Sequence, residues 1–309
     1  MDELTLPGTL GIPLHPWLQR VMSRTSIHEY KFFDTSIDNH VENAFQALAL
    51  DEHRAAFWPT VWERPDGCTT VRSSQTLVPD SQAHVLTEMQ NLKQVWFPGV
   101  HTNVGGGQDD TSTADISLAW MMDQLSGLSP GVEFHKDYLM DQWDLNQKTW
   151  YKKQKWRWGH GQLADSNTFP TSLGGSQDRT PDLYHQTEYD SGRPKDTMLR
   201  NTRELVHASV RARCRYGGAN HDGKTPYSAR GLKDWRLSDS QRDGDNWGPK
   251  VGSTGVSWVY CGTDHHGQGK VMSEDTIGSW ERKLLAKDSE MESRILGPSD
   301  VGVNGSADV

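Results

Sequence analysis

The chain has 309 residues, more than one average domain, and carries 41 acidic against 32 basic side chains, a formal charge of −9. That balance repels phosphate backbones and argues against nucleic acid as a partner, because the basic runs at Lys152, Lys153, Lys155 and Arg157 and at Arg211, Arg213 and Arg215 are flanked by acids and read as solvated faces. Cys68, Cys214 and Cys261 are too few and too far apart for a disulfide framework or a zinc motif, and neither a signal sequence nor an apolar run of 18 residues is seen, so a cytoplasmic protein without a transmembrane segment and without a cofactor is expected.

Along the chain, LPGTLGIPLHP at 6–16 is too rich in Gly and Pro for a regular helix. Residues 36–54, SIDNHVENAFQALALDEHR, place Val41, Ala44, Phe45, Leu48 and Ala49 at helical spacing with Asp38 as a cap, and the spacing predicts an amphipathic helix. A polar loop is expected over 64–84. Residues 92–97, LKQVWF, bounded by Pro98 and Gly99, predict a buried strand. After a glycine-rich loop, Ser112 and Asp115 resemble a capping box, and Ala114, Leu118, Met121, Met122 and Leu125 form the stripe of a helix that ends at Gly127. Strand, loop and helix in that order point to the α/β class.

Beyond Pro130 the pattern weakens. Helical pieces are expected near 133–158, turns over 159–196, a helix or a strand over 201–213, and turns again over 216–256. A strand is expected at 256–262 and a helix at 273–287, with a tail from Leu296 poor in apolar side chains and expected to be disordered. Two regions result: 1–130, which carries the better-formed elements, and a loop-rich accessory region, 131–309.

The segment WFPGVHTNVGGGQDD at 96–110 sets one histidine directly after a buried strand, a position from which an imidazole can act as a general base. Gly105, Gly106 and Gly107 permit positive φ and a close backbone approach to a ligand. Taken alone, these residues fit a structural histidine in a glycine-rich turn better than a catalytic one, since a lone His and a Gly triplet are weak signals.

The string WFPGVHTNVGGG, together with DNHVENAFQALALDEHRAAFWPTVW at 38–62, resembles the type VI secretion phospholipase-effector-like catalytic domain family. The similarity runs from about Gly8 to Leu125, with weaker echoes at ELVHASVRAR and SEDTIGSWERKLL. The resemblance implies an α/β-hydrolase-like sheet with flanking helices, of which 1–130 would be the C-terminal part. It also implies action on lipid or related esters, with His101 as the catalytic histidine and Asn103, Gly105, Gly106 and Gly107 as the loop that supports it. An exposed sheet edge, and self-association through it, are expected where further strands of the family would pair.

Two elements of the family pattern are missing. No G-x-S-x-G occurs: GGSQD at 174–178 and GVSWV at 255–259 lack the second glycine. The family's triad aspartate aligns with Thr5, and Asp2 is out of register. The expectation is therefore a hydrolase-type sequence inactive as it stands, with a non-catalytic binding protein as the alternative. A metal at Asp264, His265 and His266 or at His221 and Asp222 is not expected, since neither H-E-x-x-H nor C-x-x-C spacing occurs and adjacent histidines in a strand would face apart. Trp143, Trp150, Trp156 and Trp158 could form a sugar- or lipid-binding platform, but Trp143 and Trp150, seven apart, read as a core stripe instead.

Overall fold

A computed structural model gives the fold and describes residues 35–38, 41–64, 91–152, 155–166, 175–187, 194–239 and 255–297. The Gly/Pro-rich start, most of the 64–84 loop and the tail after Gly297 lie outside these residues.

The residues expected to form a helix at 36–54 instead contain strand β1, Asn43–Ala49. β1 pairs in parallel with β2, Asn91–Phe97, from Asn43↔Asn91 to Ala49↔Phe97. A parallel strand with cover on both faces is apolar almost throughout, and such a run also satisfies helical spacing, which is why periodicity misassigned it. β2 falls where the sequence places it. It leads into a single helical turn, α1, His101–Val104, then α2, Ser112–Ser126, which ends at Gly127, and α3, Tyr138–Trp150.

The antiparallel pair β3, His185–Thr187, and β4, Pro194–Met198, follows. Residues 201–213, ambiguous in sequence, contain both structures: β5, Glu204–Val206, and the start of α4, Ala208–Arg215. β5 pairs in parallel with β2, so the first sheet has the order β1-β2-β5, with β1 at one edge. β6, Trp235–Asp239, β7, Val256–Tyr260, and β8, Val271–Ser273, form an antiparallel sheet. Helices α5, Ser279–Leu285, and α6, Ser289–Leu296, complete a mixed α/β architecture of three small sheets and six helices among the described residues.

The pleat of β2 divides the interior. Val95 and Phe97 enter a core with Ile116 and Trp120 of α2, Trp280 and Leu284 of α5, and Met291 of α6. Trp96 faces the other way, among Val206, Trp235, Trp258 and Met272. Its indole donates Nε1–H to Glu204 Oε2 at 2.8 Å, which satisfies a fully buried polar group. Of the stripe expected from Trp143 and Trp150, Trp143 packs edge-to-face on the buried Trp156, whereas Trp150 is exposed; Trp158 is fully buried. No helix among the described residues is long and apolar enough to cross a membrane.

Candidate active site

Parallel pairing brings the C-terminal ends of β1 and β2 to the same side of the sheet, the place where open α/β sheets bind ligands. Leu50 N donates to Phe97 O and Asp51 N to Gly99 O, so the pairing continues past the strands. The next residue on the first strand, Glu52, then lies beside His101 at the start of α1. Glu52 Oε2 is 3.0 Å from His101 Nδ1, and the His101 backbone N–H donates to the same oxygen at 3.4 Å.

The Glu52 side chain is fully buried, whereas that of His101 is 48% exposed. Burial opposes ionisation of Glu52 but is outweighed by hydrogen bonds from Arg54, from His101, from the Arg54 backbone and from Ser166, which hold the carboxyl well below the usual range. The Arg54 guanidinium supplies a fork: Nε to Oε1 at 2.9 Å and Nη2 to Oε2 at 2.8 Å. An ionised carboxylate on Nδ1 fixes the tautomer with the proton on that nitrogen and leaves Nε2 as the basic atom. Among the described residues none hydrogen-bonds His101 Nε2. The Phe57 ring meets the imidazole edge-on, with centroids 4.9 Å apart, and the Arg54 guanidinium lies over that ring.

His101 was expected in a loop and instead opens a helical turn, because the Val100 carbonyl accepts from both Asn103 N and Val104 N. Asn103 anchors this turn from inside. Its Oδ1 accepts from Val100 N and Ala164 N, and its Nδ2 donates to Gln162 O at 3.0 Å. Gly99, at φ +98°, is required here: a Cβ would lie 2.5 Å from Asn103 Cβ. Of the glycine triplet, Gly105 ends the turn at φ −90°, and Gly106 and Gly107 take positive φ. Asp110 is buried against the start of α2, accepting from Ser112 N, Asn146 Nδ2, Tyr151 OH and Gln162 N.

Residues 8–124 match the T6SS phospholipase effector Tle1-like catalytic domain. The match contains both Glu52 and His101, and it lies in the N-terminal part of this chain. The segments ELVHASVRAR and SEDTIGSWERKLL, where weaker echoes of the family were expected, fall outside it. No curated protein and no solved structure matches the chain.

The sequence reading offers no acid for this imidazole, and the structure sets the Glu52 carboxylate on its Nδ1; Thr5 and Asp2 themselves lie outside the described residues. Trp96 and Val100, which flank His101 in sequence, are core residues, and a depression of about 250 Å³ beyond the glycine triplet is lined by polar groups such as Gln108, Asp109 and Gln162, with Trp150 at its side.

Proposed function

We propose that residues 8–124 hold the base and the orienting acid of a phospholipase-type ester hydrolase, with His101 as base and Glu52 as acid. The observation that carries this reading is the ionised, buried Glu52 on Nδ1 of a histidine whose Nε2 edge is open. The family match supports it and supplies the substrate class, a lipid ester. The reaction would begin when Nε2 takes the proton of an attacking hydroxyl, while Glu52 stabilises the imidazolium that forms. The sheet order and the location of the pair at strand C-termini favour the α/β-hydrolase plan, with 1–130 as part of such a domain.

The sequence has no G-x-S-x-G elbow, and with it go the nucleophile and the backbone donor that follows it in the oxyanion hole. The chain should therefore hydrolyse p-nitrophenyl esters and a phospholipid no faster than a matched control protein, and His101→Ala should leave that rate unchanged. Turnover above control that His101→Ala abolishes would overturn the inactivity and identify a nucleophile outside the elbow motif.

Binding without turnover is the second reading. Phe57 and Trp58, 42% and 37% exposed, flank the same site and offer apolar surface to a lipid chain. Retention of the chain on vesicles that is lost in a Phe57→Ser, Trp58→Ser double variant would favour it.

A further inference from the structure

A second cluster of chemistry lies far along the chain, in the loop between β7 and β8. Asp264, His265 and His266 were expected to diverge, as neighbours in a strand do. They sit instead in a turn closed by Gly267 N donating to Asp264 O, with Gln268 N donating to His265 O. Asp264 Oδ1 accepts from His266 N at 2.9 Å, which folds the carboxylate back over the following residues. One donor atom from each of the three side chains lies within 4.8 Å of the others, and the two imidazoles are 3.9 Å apart, centroid to centroid.

A third imidazole, outside the group whose ligand atoms lie within 4.8 Å of one another, approaches from another element. His185 of β3 meets His266 edge-on, with centroids 5.3 Å apart. Its Nδ1 is 2.9 Å from the Lys195 carbonyl, a contact that places the proton on Nδ1 and leaves Nε2 with its lone pair. A backbone acceptor on the far nitrogen is the usual support of a metal-binding imidazole. The Asp196 carboxylate of β4 approaches His266 Nε2 at 4.0 Å, adding negative charge. Lys270, at the end of the same loop, is held by Asp182 through its carbonyl and its carboxylate, at 2.7 and 2.9 Å.

We propose that Asp264, His265 and His266, with His185 as the fourth donor, form a surface site for a divalent transition-metal ion of the zinc, nickel or copper type. Imidazole nitrogen with one carboxylate oxygen suits these borderline ions and not calcium or magnesium, which take oxygen ligands. The donors stand further apart than a bound tetrahedral ion would hold them, so binding would draw in the His265 ring, 80% exposed, and the Asp264 oxygen that the His266 N–H leaves unused. The bound ion would tie the β3–β4 pair to the β6–β8 sheet, two sheets that share no strand. This site is independent of His101 and Glu52.

The test is calorimetric titration of the whole chain with zinc chloride, beside His265→Ala, His266→Ala and His185→Ala, with melting temperature as a second readout. One zinc per chain is expected, with affinity reduced at least roughly tenfold by each substitution, and a zinc-dependent rise in melting temperature that each variant loses. All three residues are in surface elements, and circular dichroism of the zinc-free variants checks their fold. Wild-type affinity in both His265→Ala and His266→Ala, or no heat of binding at millimolar zinc, would overturn the site. Wild-type affinity in His185→Ala alone would overturn the fourth donor.

Discussion

The Gly99 N–H donates to the Asp51 carboxylate at 2.6 Å while the Asp51 N–H donates back to the Gly99 carbonyl at 3.0 Å. This reciprocal pair welds the exits of β1 and β2 together, and the Tyr227 hydroxyl, at 2.8 Å, is a second donor to the same carboxylate oxygen. Asp51→Ala would strand two polar groups, a loss of about 3 kcal/mol that urea unfolding would show. Burial pushes the Asp51 carboxyl up to about 6, against hydrogen bonds from Gly99 and Tyr227. Its folded value is thus raised, so its contribution to stability is fully present below about 3.8 and is lost as pH rises through about 6. Asp51→Asn should flatten the stability profile over that interval.

Glu52 should behave in the opposite sense. Its folded carboxyl is held far below the ordinary 4.5, so the stabilisation it brings is present above pH 4.5 and drains away as the solution is acidified. Glu52→Gln keeps the shape but weakens the Arg54 fork and the contact to His101, for a cost of about 2 kcal/mol at neutral pH. The same variant should raise the fraction of the other His101 tautomer, which nitrogen chemical shifts of the imidazole would read. An unchanged tautomer ratio would count against Glu52 as the orienting acid.

How far the site was legible follows from one misread strand. The run FPGVH was found because a buried strand ending in Pro-Gly is a local signal. Glu52 was missed although it stands in plain view in DEHR, since its link to His101 depends on the parallel register Ala49↔Phe97. With 36–54 read as a helix, no such register exists. Had the Ala-Leu-Ala run been taken as a strand covered on both faces, DEHR and PGVH would have met at the same end of the sheet. The turn at Asp264–His265–His266 was hidden likewise, because the convergence of side chains depends on backbone reversal and not on spacing.

Asn103 makes a third expectation testable. Its amide uses both ends, accepting from two backbone N–H groups and donating to the Gln162 carbonyl. Asn103→Asp would set a carboxylate oxygen against that carbonyl in a buried position, at a cost of about 2 kcal/mol. Increased proteolysis within residues 99–107 should accompany the loss.

Arg213 is a buried guanidinium whose Nη1 donates to the carbonyls of Gly159 and Gly161, both at 2.7 Å, while Nη2 donates to that of Ala219. It thereby pins the segment that carries Gln162 and Ala164 under the His101 turn. Lysine is a point donor and cannot reach three divergent carbonyls, so Arg213→Lys should lower stability by about 3 kcal/mol in chemical denaturation. A shift within experimental error would show that the carbonyls find water instead.

The central position of β2 also bears on the order in which the molecule assembles. Its partner on one side comes from far earlier in the chain and on the other from far later, the Trp96–Glu204 hydrogen bond alone spanning 108 positions. Neither pairing is a hairpin, so neither can nucleate locally, and each requires a long loop to close before any ladder is gained. A chain emerging from the ribosome can cover Val95 and Phe97 with α2, but Trp96 waits for Val206 of β5 and for the strands after it. Pairing over such separations slows folding, and a refolding rate low for a domain of this size is the expected consequence.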